Sequence, residues 1–134
     1  MLDGTWRACQ RPPAMLELTQ EFVFDAAHRL GQGAPENLRL HGHSFYVEVT
    51  LRGEPNPKHG WVRDLGEVKA ALEVIRGELD HHLLNDIAGL GAPTLENLAQ
   101  FIFERARQSL PEVARVCVRR PSYGQSCSYE PAAK

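Results

Sequence analysis

Apolar and polar residues alternate along two long stretches of the chain, which is the pattern of a half-buried β-strand. The first stretch covers about 16–27 and runs into His28, and the second covers about 43–52. A loop over 29–40, with two Gly, one Pro and one Asn, separates them. Because every second side chain of a strand points to the same face of a sheet, each stretch predicts one inward-facing apolar row.

Helical spacing replaces this alternation in the middle of the chain. Asp64, with Glu67 three residues later, predicts a capping-box start for a helix over about 65–78, and Thr94 predicts the N-cap of a second helix. Apolar residues at three- and four-residue spacing support both helices: Leu65, Val68, Leu72 and Ile75 in the first, and Leu95, Leu98, Ile102 and Ala106 in the second. Two further strands are predicted, over 113–120 and 126–130.

The order of elements is therefore ββααββ, which predicts an α+β domain with two helices on one face of an antiparallel sheet. This single domain covers 15–134. Residues 1–14 show no periodicity, and we interpret them as a loose N-terminal extension, or as sequence read from an upstream start with Met15 the working one. A four-stranded sheet has two edges to protect, and oligomerisation is a common way to cover them.

Composition narrows the classes of function. The 134 residues are 43% hydrophobic and carry a formal net charge of −2, which suits one domain and gives no electrostatic case for nucleic acid or an anionic membrane. No apolar run approaches the ~20 residues of a membrane-spanning helix, and the N-terminus lacks the order of a signal peptide. The cysteines have no CxxC spacing, which predicts reduced thiols in a cytoplasmic protein: Cys9, Cys117 and Cys127.

Three histidines extend the two inward-facing apolar rows. His28 ends the first row, and His41 and His43 begin the second with the same parity. If the two strands are neighbours, one metal ion can be reached from both. Three imidazoles with an open fourth position suit a catalytic zinc ion, although imidazole also binds iron, copper and nickel. We interpret the isolated His59 and His82 as hydrogen-bonded core residues instead.

A second candidate constellation lies at the end of the first predicted helix, in 79–86. Asp80 beside His81 can form a general base whose imidazolium is stabilised by a carboxylate. The alternative is a histidine that the helix dipole favours at a C-terminus, without a catalytic role. The segment alone does not choose between these two interpretations.

These candidate residues fall within a series of five short motifs, which follow one another along the chain at 24–30, 41–44, 60–65, 79–86 and 93–98. This series resembles the 6-pyruvoyl-tetrahydropterin synthase / 6-carboxy-tetrahydropterin synthase family over about residues 16–130. The Gly-Trp pair at 60–61 and the Leu-Asp-His-His at 79–82 are more similar to the bacterial carboxy-tetrahydropterin synthases of queuosine biosynthesis than to the animal pyruvoyl enzymes.

The resemblance implies a tunnelling fold, in which ββααββ subunits join their strands around a barrel, usually as a hexamer with sites at subunit interfaces. It implies Zn²⁺ on His28, His41 and His43, where the metal acts as a Lewis acid on the side-chain oxygens of a dihydroneopterin triphosphate substrate. The resemblance also implies that Asp80 and His81 form the acid/base pair. It further implies that Thr94 and Glu96 belong to a motif that shapes or supports the substrate pocket.

Two positions depart from the family pattern. The family's catalytic cysteine, four residues before the first His of His-Gly-His, is here Asn37, which cannot act as a base or thiolate. The neighbouring Glu36 is the nearest carboxylate, and family members with a glutamate in this loop run an aldolase-like side-chain cleavage. The alternative interpretation is that Glu36 is a solvated loop residue.

The second departure lies in the last strands. By alternation, Arg120 takes the place of the glutamate that binds the donor edge of the pterin in the family, with Arg119 as the second choice. Arginine carries only donors, so it suits a carboxylate or carbonyl edge instead. An arginine at a strand end that reaches solvent is the other interpretation.

Three functions stay open at this point. The first is a zinc-dependent 6-carboxy-tetrahydropterin-synthase-like lyase that acts on a reduced-pterin precursor such as dihydroneopterin triphosphate, with altered specificity. The second is a zinc enzyme of the same fold repurposed for a non-pterin carbonyl or carboxylate substrate. The third is a metal-bearing binding protein without catalysis.

Overall fold

Four antiparallel strands and two helices make up the structure, a computed structural model that describes residues 14–132. In chain order the elements are β1 (Leu16–His28), β2 (His41–Gly53), α1 (Leu65–Leu79), α2 (Leu95–Ser109), β3 (Val113–Arg120) and β4 (Gln125–Tyr129). The strands follow the order β1-β2-β3-β4 in one sheet. The predicted ββααββ order is confirmed, whereas the predicted N-terminal extension lies outside the described residues except for Ala14.

The strand register follows the alternation of the sequence. β1 and β2 pair along their whole length, with Phe24 opposite Phe45, and their rings stack at a centroid distance of 4.9 Å. Both helices pack on the face that carries these phenylalanines, and Val118 on β3 continues the same buried row. Burying this face removes apolar surface from water, the main force that holds helices on the sheet.

Side-chain caps determine where both helices begin. The Asp64 carboxylate accepts from the Gly66 N–H at 3.0 Å, and the Thr94 hydroxyl accepts from the Asn97 N–H at 3.1 Å. The capping box predicted for α1 is wrong in its second half, because Glu67 is engaged instead by a neighbouring arginine at 2.9 Å. The caps themselves are confirmed.

Two histidines lie outside the core, contrary to prediction. His59 is exposed in the turn between β2 and α1, where its ring stacks on that of Trp61 at a centroid distance of 4.8 Å. His82 is exposed in the loop after α1. Both sit in connections, whose side chains lie at the surface. Neither helix in the described part of the chain is long and apolar enough to cross a membrane.

Candidate active site

The three histidines predicted to share a metal ion meet where β1 ends and β2 begins. His28 lies directly opposite His41, and His43 follows two residues further along β2 on the same face. The ring centroids are 4.7, 5.0 and 4.8 Å apart in the three pairs. One nitrogen from each ring lies within 4.8 Å of the others, so the structure brings the whole predicted set together.

Backbone carbonyls orient two of these rings. The Nδ1 of His28 lies 2.9 Å from the Pro93 carbonyl oxygen, and the Nδ1 of His41 lies 2.7 Å from that of Arg39. Because a carbonyl oxygen only accepts, each Nδ1 of a neutral ring donates and each Nε2 keeps its lone pair. The two Nε2 atoms face each other at 3.1 Å.

Two facing lone pairs repel unless a cation lies between them, and this gives a test of whether the donor set fits a metal ion. Tetrahedral zinc with bonds of about 2.0–2.1 Å places its nitrogen ligands about 3.3 Å apart. The observed 3.1 Å separation between the Nε2 atoms of His28 and His41 agrees with that spacing. The histidine cluster therefore fits zinc without rearrangement of these two rings.

Burial favours the neutral, metal-binding form of two of the three histidines, His28 and His43. His28 is 1% exposed and His43 is 8% exposed. Burial, followed by the positive charge of Arg120, lowers the pKa of His43 to about 4. Burial also lowers the pKa of His28. Ligand histidines have to be deprotonated, so these shifts favour metal binding near neutral pH.

A pocket of about 360 Å³ opens beside His41 and His43, and both positions that depart from the family pattern line it. Glu36 and Asn37 enter it from the short 3-10 helix Pro35–Leu38. The Asn37 side-chain amide donates to the Gln32 carbonyl at 3.2 Å, and the backbone carbonyl of Asn37 accepts the Leu30 N–H at 2.7 Å. Asn37 therefore holds the loop that carries Glu36, besides lining the pocket.

Arg120 reaches the pocket from the end of β3. Its Nη1 lies 3.4 Å from the Nε2 of His43, and the Tyr123 ring lies against the same imidazole at a centroid distance of 5.1 Å. Arg119 lies on the opposite face, where its guanidinium pairs at 3.3 Å with Glu21 and at 3.3 Å with a second glutamate. The structure thus brings Arg120, not Arg119, to the histidine cluster.

Asp80 and His81 form a hydrogen-bonded pair directly after α1. The Asp80 Oδ2 lies 2.9 Å from the His81 Nδ1, and its Oδ1 accepts the Asp25 N–H at 2.9 Å. The Asp25 N–H, followed by His81, lowers the pKa of Asp80. His81 adopts a φ of 59°, a left-handed conformation that is uncommon for a residue with a side chain, and its N–H donates to the Asp25 carbonyl at 2.7 Å.

His81 of this pair lines a different depression from Glu36 and Arg120. The depression, about 590 Å³, is lined by His81 together with Asp25, Ser44 and residues of β2 that include His43. His43 borders both cavities, but within one chain Asp80 and His81 do not line the pocket that holds Glu36. The side chain of His81 is 79% exposed.

Thr94 and Glu96 lie at the start of α2, behind the histidine cluster. Thr94 caps the helix, and the carbonyl of the preceding Pro93 orients His28. Glu96 is exposed in the first turn, close enough for its charge to oppose the lowering of the pKa of Arg120 that burial causes. Thr94 therefore lies behind His28, and Glu96 lies near Arg120.

Sequence reasoning missed two residues that support the Asp80–His81 pair. Arg76 contacts the Asp80 carboxylate at 3.3 Å and donates through Nε to the Val23 carbonyl at 2.8 Å. The Asp25 carboxylate accepts the hydroxyl of Ser44, its partner across β1 and β2. The position of Arg76, one turn before Asp80 in a helix, was the available signal.

An antiparallel sheet backed by two helices, with three histidines that fit a metal ion at one end, defines the class of a small α+β domain with a candidate metal centre. A sequence model of the family described as 6-pyruvoyl tetrahydropterin synthase matches residues 17–132. The chain therefore belongs to the 6-pyruvoyl tetrahydropterin synthase family, and the resemblance predicted from its motifs is confirmed.

Similar proteins are named for closely related reactions. A 6-carboxy-5,6,7,8-tetrahydropterin synthase of Synechocystis is 38% identical over 95 residues, which cover 67% of this chain and 74% of that protein. A dihydroneopterin monophosphate aldolase of Pyrococcus furiosus is 43% identical over 88 residues, covering 66% and 72%. A solved structure of the Caenorhabditis elegans 6-pyruvoyl tetrahydropterin synthase, 24% identical, shares the fold with a TM-score of 0.79 over 90% of this chain and 98% of that one. Membership of this family and these similarities support a lyase of the pterin-synthase or aldolase type.

Proposed function

We propose that this protein is a zinc-dependent, 6-carboxy-tetrahydropterin-synthase-like lyase that acts on a reduced-pterin precursor such as dihydroneopterin triphosphate, with altered specificity. The observation that carries the proposal is the histidine cluster, which opens into a pocket that also holds the carboxylate of Glu36. The proposal includes zinc as the metal and the cytoplasm as the compartment.

His28, His41 and His43 would hold the metal. When bound, zinc supplies a Lewis acid that stabilises negative charge on oxygens of the substrate side chain. The cluster offers three nitrogens and leaves one side open toward the pocket, as a catalytic rather than a structural zinc site requires. The backbone carbonyls on His28 and His41 keep their Nε2 lone pairs aimed at the shared position.

Glu36 would act as the proton acceptor in place of the missing thiol. Its carboxylate accepts the proton of a side-chain hydroxyl, the neighbouring carbon–carbon bond breaks, and the hydroxyl carbon becomes the carbonyl of the released fragment. The proton then returns to the carbon that remains on the pterin. This aldolase-type chemistry is supported by the similarity to the Pyrococcus furiosus aldolase and by Asn37, which has no acid/base function of its own.

Asp80 and His81 would complete the site from a neighbouring subunit. Their separation from the Glu36 pocket within one chain supports this arrangement, as do the exposure of His81 and the two sheet edges at β1 and β4. Leu40 beside the pocket is 61% exposed, which an interface would cover. A homo-oligomer, by the family resemblance a hexamer, is therefore part of the proposal.

A second candidate function is a zinc enzyme of this fold that acts on a non-pterin carbonyl or carboxylate substrate. The contact of Arg120 with the histidine cluster favours it, because a guanidinium does not match the donor edge of a pterin. A metal-bearing protein without catalysis is disfavoured by the hydrogen-bonded Asp80–His81 pair, which a purely structural metal site does not need.

The test combines metal analysis with turnover. The purified protein should contain about one zinc per subunit, and the His41→Ala/His43→Ala variant should lose it. Wild type, Glu36→Gln, Asn37→Cys and Arg120→Glu are then compared on dihydroneopterin triphosphate, with both product classes identified by mass. Release of a side-chain fragment that depends on Glu36 supports the proposal. Full zinc content in the double-alanine variant, or turnover unaffected by Glu36→Gln, contradicts it.

A further inference from the structure

Arg120 lies where the charge of its guanidinium is hard to satisfy. Its Nε is buried without a hydrogen-bond partner among residues 14–132. Its Nη1 lies 3.4 Å from the Nε2 of His43, a long contact to a nitrogen whose single lone pair would be taken by a metal ion bound there. A guanidinium has five donors in a planar fork, so donors remain for a ligand in the pocket that Arg120 lines.

The surroundings of Arg120 differ from those of the other arginines of the sheet. Arg119 is stacked on Tyr46 at 5.5 Å and paired with two glutamates on the outer face, and Arg115 is paired at 2.9 and 3.1 Å with Glu17 and Glu130. Those arginines have carboxylate partners within the chain. Arg120 has no carboxylate partner among residues 14–132, and it lines the pocket beside the histidine cluster, where a ligand would bind.

We infer that Arg120 and the histidine cluster form one binding position for a carboxylate, so that the preferred ligand carries a carboxylate with a second oxygen or nitrogen donor beside it. A carboxylate accepts two parallel hydrogen bonds from a guanidinium, and its charge is attracted both by Arg120 and by a metal on the cluster. The adjacent donor atom can then reach the metal position. This inference rests on the proposed function for the metal, and it makes Arg120 a specificity-determining residue.

The charge of Arg120 also couples metal binding to carboxylate binding. A positive guanidinium beside a metal site repels a divalent cation, and it lowers the affinity of the site for the metal alone. A bound carboxylate brings negative charge between the two positive groups and removes that repulsion. Metal and carboxylate should therefore bind cooperatively, each raising the affinity of the other by the same factor.

The experiment measures binding by calorimetry with two probes that share a ring, 6-carboxypterin and 6-hydroxymethylpterin. It is run on the full chain, metal-free and zinc-loaded, for wild type, Arg120→Gln, Arg120→Lys and the control Arg119→Gln. Arg119 is the neighbouring arginine of the same strand, and its guanidinium pairs with glutamates on the opposite face of the sheet. Wild type should prefer the carboxylate probe by about tenfold to a hundredfold, the range for a hydrogen bond to a charged group.

Arg120→Gln should abolish this preference and bind zinc alone more tightly, Arg120→Lys should keep part of the preference, and Arg119→Gln should keep all of it. A preference that survives Arg120→Gln, or equal affinity of wild type for both probes, overturns the inference. These outcomes are separate from the proposed function: wild type that turns over dihydroneopterin triphosphate but binds both probes equally keeps the function and loses the inference. An Arg120-dependent preference without turnover does the reverse.

Discussion

Replacing Asp80 by Asn tests whether the Asp80–His81 pair moves a proton. The Asp80 Oδ2 accepts the proton of the His81 Nδ1 at 2.9 Å, and this leaves the Nε2 of a neutral ring as the free base. In Asp80→Asn an amide N–H can face His81 instead, so that Nδ1 becomes the acceptor and the ring proton moves to Nε2. The base is then blocked, although the side chain keeps its shape.

The expected effect is a fall in kcat by about 10²–10⁴-fold, the range for a general base and for a carboxylate that holds a catalytic histidine in its tautomer. KM and zinc content should change little, because Asp80 contacts His81, Arg76 and the Asp25 N–H and not the histidine cluster or Glu36. Asp25 and His81 lower the pKa of Asp80. The contribution of the Asp80 carboxylate to kcat should therefore be fully present above the ordinary pKa range of a carboxyl group, and it should be lost only as the pH falls through the lowered pKa of Asp80.

The assay is steady-state turnover of dihydroneopterin triphosphate, with the mass of the oligomer measured in parallel. Asp86→Asn is the matched control, since Asp86 is an exposed carboxylate in the same loop. A kcat within about threefold of wild type for Asp80→Asn, together with a large loss for His81→Ala, would refute the argument that the carboxylate selects the tautomer. If Asp80→Asn and His81→Ala both keep the activity of wild type, the Asp80–His81 pair has no part in the mechanism.

The remaining predictions concern assembly and stability. Light scattering at micromolar concentration should give the mass of a hexamer, and a monomeric mass would exclude a site shared between subunits. The hydrogen bonds of Arg115 and Arg52 lower the pKa of Glu17 to about 2 from its ordinary 4.5. Glu17→Gln should therefore lower Tm at pH 7. In thermal melts the difference in Tm from wild type should shrink as the pH falls from about 4.5 to about 2. Leu98→Ala removes a side chain that is 0% exposed and should cost about 2–5 kcal/mol in urea unfolding, whereas the 66% exposed Val74→Ala should cost far less; equal losses would contradict the assigned core.

Local patterns in the sequence determined the elements of this fold. Alternation over the first two strands and apolar spacing over the two helices were sufficient for the ββααββ order, because burial of one face acts on each segment separately. The inward parity of His28, His41 and His43 followed from the same alternation. The predictions for His59 and His82 failed because a single residue in a connection carries no periodicity from which its burial can be inferred.

Only the tertiary structure decided how these residues meet. The register between β1 and β2 brings the Nε2 of His28 to 3.1 Å from that of His41, and it depends on cross-strand packing summed over the whole pair. The pairing of β3 with β2 likewise brings Arg120 to His43. The separation of Asp80 from the pocket of Glu36 depends on how the loop after α1 pairs with the edge of β1. Such contacts join residues far apart in the chain, and no local pattern encodes their distances.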